Sequence, residues 1–572
     1  MRLGARRVAP APRGRAGRRR RRPADVRRRR TGHGRPAGGV RGVPLPPGGP
    51  LVAGGRQGGL PAKAGRTRRT RRSNLSTANG TKNTPSTGRT LIRGGHVFDV
   101  ASEFGVRDIL VEDGVIVRVG PGIDAPGAEV VDASGRIVIP GLVNAHTHSN
   151  QTIERGLCDD LPLDTWMVLA SYGGAGARLS PRELYVSAML GAIQMLRNGT
   201  TSVLDCARAD HEWMGEGLDA ITRAYADAGM RANVAAQYSD LDFFSSLPLD
   251  LVDGTEHLVR PPRAKPDEVL GEVLGYIDRW HGENPRITPM LGPSSLPRCS
   301  TGLFTASADT ARERGLRLQT HLLSAKSQVY VAAARYGTST VEFLERIGCL
   351  GPWASFAHAI WLDDDEIARF AASEAVAVHN PVSNLKLGAG VAPVPALLRA
   401  GAAVALGSDG ASSNDGQNMW ETIKMAALLP RAHEERASWP GALSVLGMCW
   451  DGGARAMGVP LGRVAPGHRA DLVLLRTSEV FVAPKEQVAY QLAYADMNHA
   501  VDTVLVDGAP VVRDGELLHI NVDAILAEAA ELAARVWEGL PDRLTNYERT
   551  APLLQRLEDE VRRRPWSRAT GR

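Results

Sequence analysis

The chain has 572 residues with 69 Lys+Arg against 62 Asp+Glu, a formal net charge of +7, and that average conceals two unlike parts. Residues 1 to 90 carry 25 basic residues and one acid, Asp25, for a net of +24, which leaves −17 on residues 91 to 572. A body of about 480 residues is long enough for one large domain with an accessory module, and without a run of about 18 apolar residues it has no segment that reads as a membrane-spanning helix.

Residues 1–72 are mostly Arg, Gly, Pro and Ala, a composition that cannot bury enough apolar surface to offset the entropy of folding. A disordered tail is predicted there, with a polar linker over 73–89. Arginine-rich tails bind polyanions by counterion release, so non-specific nucleic-acid association is the functional expectation for this part. A targeting segment, or translated upstream sequence without a role, would have the same composition, although scarce serine and the lack of an amphipathic stripe weaken a transit peptide. The five cysteines are scattered, with no C-x-x-C pair and an odd count. That pattern argues against a disulfide framework or a zinc knuckle and points to a reducing, cytoplasmic compartment.

From Thr90 the texture becomes short β-branched runs, "TLIRGGHVFDV", "DILVEDGVIVRVG" and "AEVVDASGRIVIP", with Asp113-Gly114 as a hairpin turn. Antiparallel strands are predicted, as the first part (90–139) of a small β-sandwich. Past Pro140, apolar runs alternate with helical stretches, the signature of βα units. Eight such runs stand at 137–145, 200–205, 231–237, 287–295, 317–323, 355–362, 375–384 and 403–410. Eight is the number a (β/α)8 barrel needs, so the fold class is α/β, with a TIM-like barrel over 140–457. Amphipathic helices such as 181–198 and 301–314 end at glycines, as helix C-termini commonly do. The strand texture returns over 458–520, with further Asp-Gly turns at Asp507 and Asp514, so the small domain is built from both ends of the barrel. A charged helical tail over 521–572 closes the chain.

The chemistry concentrates at the ends of these runs. "PGLVNAHTHSNQTIERGL" places His146 and His148 two apart on a strand, on one face. His321 ends the fifth run, His358 lies in the sixth and Asp409 ends the eighth, all where strand C-termini form the active face of a barrel. Three imidazoles and a carboxylate suit a catalytic zinc or similar divalent ion that keeps a position open for water. Such an ion lowers the pKa of its water from about 15.7 towards neutrality. Asp409 can bind the ion and also take a proton, which leaves His358 to polarise the substrate. The loop "RGLCDDLPLDTWM" offers Asp159, Asp160 and Trp166 to a pocket lid. His379, ending the seventh run, is open to a structural or a substrate-facing role.

These motifs, together with "GSDGASSND" and the closing "GRVAPGHRADLVLL", resemble the amidohydrolase superfamily, in its cytosine-deaminase and triazine-hydrolase branch. The resemblance covers about residues 90 to 520 and implies a barrel flanked by a small β-sandwich. It implies metal ligands His146, His148, His321 and Asp409, with His358 as the substrate-activating group and Gln151 in the substrate pocket. The fourth run, "ITPMLGPSSLP", lacks the lysine that bridges two ions in binuclear members, so one divalent metal is expected: zinc first, iron or manganese otherwise. Deaminases of this branch carry H-x-x-E after the fifth strand. Here the segment reads "HLLSAKSQ", which puts Ser324, a poor acid or base near neutral pH, at the position of the proton-shuttling glutamate. Three possibilities stay open: Asp409 and His358 move the protons, another carboxylate substitutes, or the reaction differs. Lys326 reads as a surface lysine, or as a group that orients a leaving group.

The expected function is therefore a mononuclear metal-dependent amidohydrolase that attacks a carbon of a nitrogen heterocycle and releases ammonia or an amine. The alternatives are hydrolysis of an exocyclic amide or other non-peptide C–N bond in a specialised metabolite, which Ser324 would mark, and a non-catalytic barrel. The expected partner is a small-molecule substrate in a homo-oligomer, with no membrane.

Overall fold

The structure is a computed structural model and describes residues 88–171, 178–210, 214–258, 264–480 and 484–566. The tail read over 1–72, and residues 73–87 of the linker read over 73–89, lie outside the described residues.

The first strands build a small mixed sheet: β1 (Arg89–Val97), β2 (Gly105–Glu112), β3 (Val115–Gly120), β4 (Glu129–Asp132) and β5 (Arg136–Pro140). The barrel strands follow as β6 (Leu142–Thr147), β7 (Thr200–Ala207), β8 (Arg231–Tyr238), β9 (Ile287–Pro293), β10 (Leu318–Leu322), β11 (Ala354–His358), β12 (Val376–His379) and β13 (Ala403–Leu406). The small sheet is completed by β14 (Leu472–Arg476), β15 (Val501–Val506), β16 (Ala509–Arg513) and β17 (Glu516–Leu517).

β6 to β13 form one parallel sheet in chain order. Its seam closes through side chains and backbone together. Asn144 Nδ2 donates to Ser408 Oγ at 2.8 Å, Ser408 N donates to Asn144 Oδ1 at 3.0 Å, and Asp409 N donates to the carbonyl of His146 at 2.9 Å. Gly407 makes that approach possible, since a Cβ there would meet the His146 backbone nitrogen at 2.9 Å. The seam therefore seats Asp409 beside the first histidine strand. Inside the barrel, Ala145, Leu204, Ala235, Met290, Val378 and Ala405 pack into one buried cluster, a filled core of the kind that leaves the active face to the strand C-termini.

The nine-stranded sheet runs β17-β16-β15-β14-β5-β1-β2-β3, with β4 also on β1. Ile92, Ile109, Val138, Leu472, Leu474 and Leu505 form its own core, drawn from both ends of the chain. The Asp-Gly turns lie in the left-handed region that two-residue hairpins use, as with Asp113 at φ 49° and Gly114 at φ 77°.

Two details differ from the sequence reading. β1 pairs in parallel with both β4 and β5, so the N-terminal strands are not all antiparallel; β-branched runs set strand character but leave strand direction to the connections. The apolar run 137–145 also serves two sheets. β5 pairs with β14 up to Pro140, after which Gly141 N bonds the Asp471 carbonyl at 2.8 Å and Leu142 N bonds the Gly199 carbonyl at 3.0 Å, passing the chain into the barrel.

A buried ion-pair network joins the two sheets. Arg231 on β8 donates to Asp471 Oδ2 at 2.8 Å and also meets Asp507, and Arg286 reaches Asp507 Oδ2 at 3.1 Å. The C-terminal region forms the helices Val522–Glu538 and Leu540–Arg563. The second packs Leu554 and Leu557 onto Val168, Phe243 and Leu247, beside the active face. Among the described residues no helix is long and apolar enough to cross a membrane, and all five cysteines are unpaired and buried.

Candidate active site

Strand ends converge the five residues that the sequence singles out. His146 lies on β6 and His148 just beyond it, His321 on β10, His358 at the end of β11, and Asp409 beyond β13. Asp409 Oδ1 is 3.6 Å from His146 Nε2 and 3.5 Å from His148 Nε2, and its Oδ2 is 4.0 Å from His358 Nε2. His148 Nε2 and His321 Nε2 are 3.2 Å apart.

The other ring nitrogen of each histidine explains this convergence. His148 Nδ1 donates to the Cys206 carbonyl at 2.8 Å and His321 Nδ1 to the Ser294 carbonyl at 2.6 Å. A carbonyl only accepts, so both rings carry their proton on Nδ1 and turn an Nε2 lone pair inward. His146 Nδ1 donates to Gln319 Oε1 at 2.8 Å, and Gln319 is fixed in that orientation because its Nε2 donates to the Ala145 carbonyl at 2.9 Å. His358 Nδ1 faces Asn384 Oδ1 at 2.9 Å.

Burial pushes His146 down to about 3, with His148 adding to the effect, and burial likewise lowers His321 and His358. Burial pushes the Asp409 carboxyl upward, but the imidazoles of His358, His146 and His148 outweigh it and hold the group ionised, well below the usual carboxylate range. His146 Nε2 is buried and finds no hydrogen-bond partner. Two unprotonated ring nitrogens 3.2 Å apart, a third with no donor and an adjacent carboxylate form a donor set that fits a divalent cation. Each Nδ1 hydrogen bond is the outer support that metal-binding histidines require. Two triads, His146–His148–His321 and His146–His358–Asp409, each bring their ligand atoms within 4.8 Å of one another.

The backbone is also held in place here. Leu323, His358, Ala359 and Asp409 adopt φ of 45°, 75°, 49° and 64°. Non-glycine residues in that region cost about 1–3 kcal/mol each and persist where the surroundings over-determine them. At Gly410 a Cβ would meet Gln151 Oε1 at 1.8 Å, so the glycine lets Gln151 approach the Asp409 turn.

A cavity opens over the cluster. Gln151, Trp166 and Ser324 line it together with His148, His321, His358 and Asp409. Asp159 and Asp160 do not: both are exposed, and the acid that the loop turns into the cavity is Asp164. His379 is buried and absent from the lining, and Lys326 faces a separate outer cavity, where its Nζ donates to the Arg564 carbonyl at 2.5 Å. No lysine lines the inner cavity among the described residues. Gln319 escaped the sequence reading, although it stands two before His321 and so shares its strand face. Asp164 lies in the loop read as a lid but was not singled out there, and Asn384 carried no local signal.

A closed parallel barrel with imidazoles and a carboxylate gathered at its strand C-termini is the architecture of a metal-dependent hydrolase. The amidohydrolase family profile matches residues 137–511. The chain belongs to that family. It is 35% identical over 447 residues to a 5'-deoxyadenosine deaminase of Methanothermobacter thermautotrophicus, covering 78% of this chain and 97% of the relative. Among solved structures, an adenosine deaminase from Xanthomonas campestris with bound zinc superposes with a TM-score of 0.69 at 29% identity, over 78% of this chain and 98% of that one. The atrazine chlorohydrolase from Arthrobacter aurescens TC1, complexed with zinc, gives 0.68 at 27%, over 78% and 100%.

Proposed function

We propose that this amidohydrolase is a mononuclear aminohydrolase that replaces an amino group on a purine-like nitrogen heterocycle with oxygen and releases ammonia. His146, His148, His321 and Asp409 would hold one divalent ion, zinc first. The observation that carries the reading is the set of inward Nε2 lone pairs fixed by Nδ1 hydrogen bonds around an ionised Asp409. A divalent ion held there supplies a Lewis acid that makes water acidic near neutral pH.

The chain's own groups divide the remaining work. Asp409, ionised and 4.0 Å from His358, can receive a proton beside the imidazole that faces the substrate. His358, kept neutral by burial, meets the ring nitrogen or the exocyclic nitrogen of the substrate. Trp166 offers an aromatic wall, while Gln151 and Ser324 offer polar contacts. The relatives act on 5'-deoxyadenosine and adenosine by name, which supports testing adenosine-type substrates first. Ser324 favours one second reading, cleavage of another non-peptide C–N bond.

The test is ammonia release by the zinc-loaded protein from 5'-deoxyadenosine, adenosine and aminated pyrimidines, pterins and triazines. Release from at least one is expected, and His321→Ala should abolish both zinc binding and turnover. Silence across the panel with zinc bound would transfer the assignment to the second reading.

A further inference from the structure

Proton transfer is the step for which the sequence leaves no obvious agent. Ser324 stands where the shuttling carboxylate is expected, and its backbone N–H and Oγ are both engaged by Gln328, at 3.1 and 3.0 Å. The inner cavity nevertheless contains two carboxyl groups among its described lining residues, Asp409 and Asp164. Asp409 belongs to the metal cluster, which leaves Asp164.

Asp164 lies in the short helix Leu163–Trp166 of the loop after β6. It stands near the Ser327 hydroxyl, in the first turn of the helix that follows β10, on the same side of the barrel as Ser324. Its helix is fixed on two sides. Leu163 N donates to the Leu387 carbonyl at 3.0 Å, and Thr165 Oγ1 donates to Glu558 Oε1 at 2.5 Å. Asp164 also borders the outer cavity, so it stands in the wall between solvent side and reaction side.

We propose that Asp164 is the carboxyl that carries protons to the leaving group, in place of the residue at position 324. The proposal rests on the aminohydrolase reading above. In that reaction the oxygen of water bonds to the ring carbon, the carbon–nitrogen π pair moves onto the ring nitrogen, which takes the first proton of the water by way of Asp409, and the bond from that carbon to the amino nitrogen then breaks with its electron pair on the amino nitrogen. Asp164 in its acid form gives that nitrogen the proton it needs to leave as ammonia. As the carbon–oxygen double bond forms, the hydroxyl proton returns to the carboxylate, so one water is consumed and Asp164 ends as it began.

The electrostatics suit this work. Burial pushes the Asp164 carboxyl up to about 7, the Ser327 hydroxyl pulls the other way, and Glu558 pushes it further up. Both protonation states are then populated at neutral pH, which is where a general acid–base group is most effective. The other charged groups around it are Arg562 and Lys326 on the outer side, and Arg208, Arg298 and the Asp409 cluster on the inner.

The experiment compares wild type, Asp164→Asn and Asp164→Glu, with zinc bound, on whichever panel substrate the wild type turns over. Asp164→Asn should lower kcat by roughly 10²–10⁴ with zinc content unchanged, and should remove the near-neutral limb of the pH–rate profile. Asp164→Glu should keep that limb, and Ser324→Glu should restore part of the activity of Asp164→Asn. Independently of turnover, infrared difference spectra of the zinc-free protein should show a protonated-carboxyl band that titrates near neutral pH and is lost in Asp164→Asn. Activity of Asp164→Asn within threefold of wild type, or no such band, overturns the proposal. A wild type that releases ammonia from nothing in the panel overturns the aminohydrolase reading instead, and the infrared arm still decides the state of Asp164.

Discussion

Gln319 holds His146 by a 2.8 Å hydrogen bond from Nδ1 to Oε1, while its own Nε2 donates to the Ala145 carbonyl and to Ser355 Oγ. The amide cannot turn over without losing both bonds, so it dictates which nitrogen of His146 faces the centre of the cluster. A buried residue that touches no substrate thereby sets the chemistry of a ligand.

Gln319→Leu keeps much of the volume but removes the acceptor. Losing the outer hydrogen bond of a metal-bound histidine costs about 10–100-fold in affinity, and zinc competition against a chromophoric chelator should read that loss. Wild-type affinity in the variant would show that His146 needs no such support.

Asp507 is the hub of the network that joins the two sheets, facing Arg231, Arg286 and Arg469 with its side chain fully buried. Removing one partner of a buried ion pair costs about 3–5 kcal/mol because the remaining charges stay buried. Asp507→Ala should lower unfolding stability by that amount in urea titration, whereas Arg89→Ala, which removes the half-exposed pair with Glu112, should cost about 1 kcal/mol or less. Equal costs for the two would contradict the ranking by burial.

The same network marks how far the sequence can be read. The five cluster residues were legible because metal chemistry demands particular side chains, and each stands in or at the end of an apolar run. Asp471 and Asp507 were visible only as parts of a closing motif and a hairpin turn; nothing local says that an arginine on β8 meets both. The run 137–145 looked like one strand because apolar character does not encode a change of sheet at Pro140. Asp164 was one acid in a loop of three, and the contacts that hold its helix, to the Leu387 carbonyl and to Glu558 of the C-terminal helix, come from segments far away in sequence.

His379 gives the acid response of the fold a definite sign. Burial, with His358 adding to it, pushes His379 down to about 3, while in the unfolded chain it titrates near ~6.5. Between those values the unfolded state binds the extra proton. The stabilisation is therefore complete above about 6.5 and is lost as the pH falls towards 3, at about 1.4 kcal/mol per pH unit. In zinc-free protein, wild type should lose about 1.5 kcal/mol more than His379→Asn between pH 6.5 and 5.0. Parallel losses, measured by urea unfolding at the two pH values, would remove His379 from the account.

The C-terminal helix makes the last prediction. Residues 540–563 lie beyond the segment matched by the family profile, yet three contacts tie them to the loop that carries Asp164 and Trp166. Arg543, 1% exposed, donates to Glu154 Oε1 at 2.9 Å; Glu558 accepts from Thr165; and Leu554 and Leu557 cover Val168 and Phe243. Ending the chain at Glu538 strips all three while removing no residue of the metal cluster. Zinc content should stay at the wild-type level, whereas kcat/KM should fall by roughly 10²-fold, the cost of a displacement of about 1 Å at a positioned site. Limited proteolysis should also cut within 155–170 faster than in the full chain. Loss of zinc together with activity would mean that the helix supports the barrel itself, and unchanged kcat/KM would mean that the loop holds its place without it.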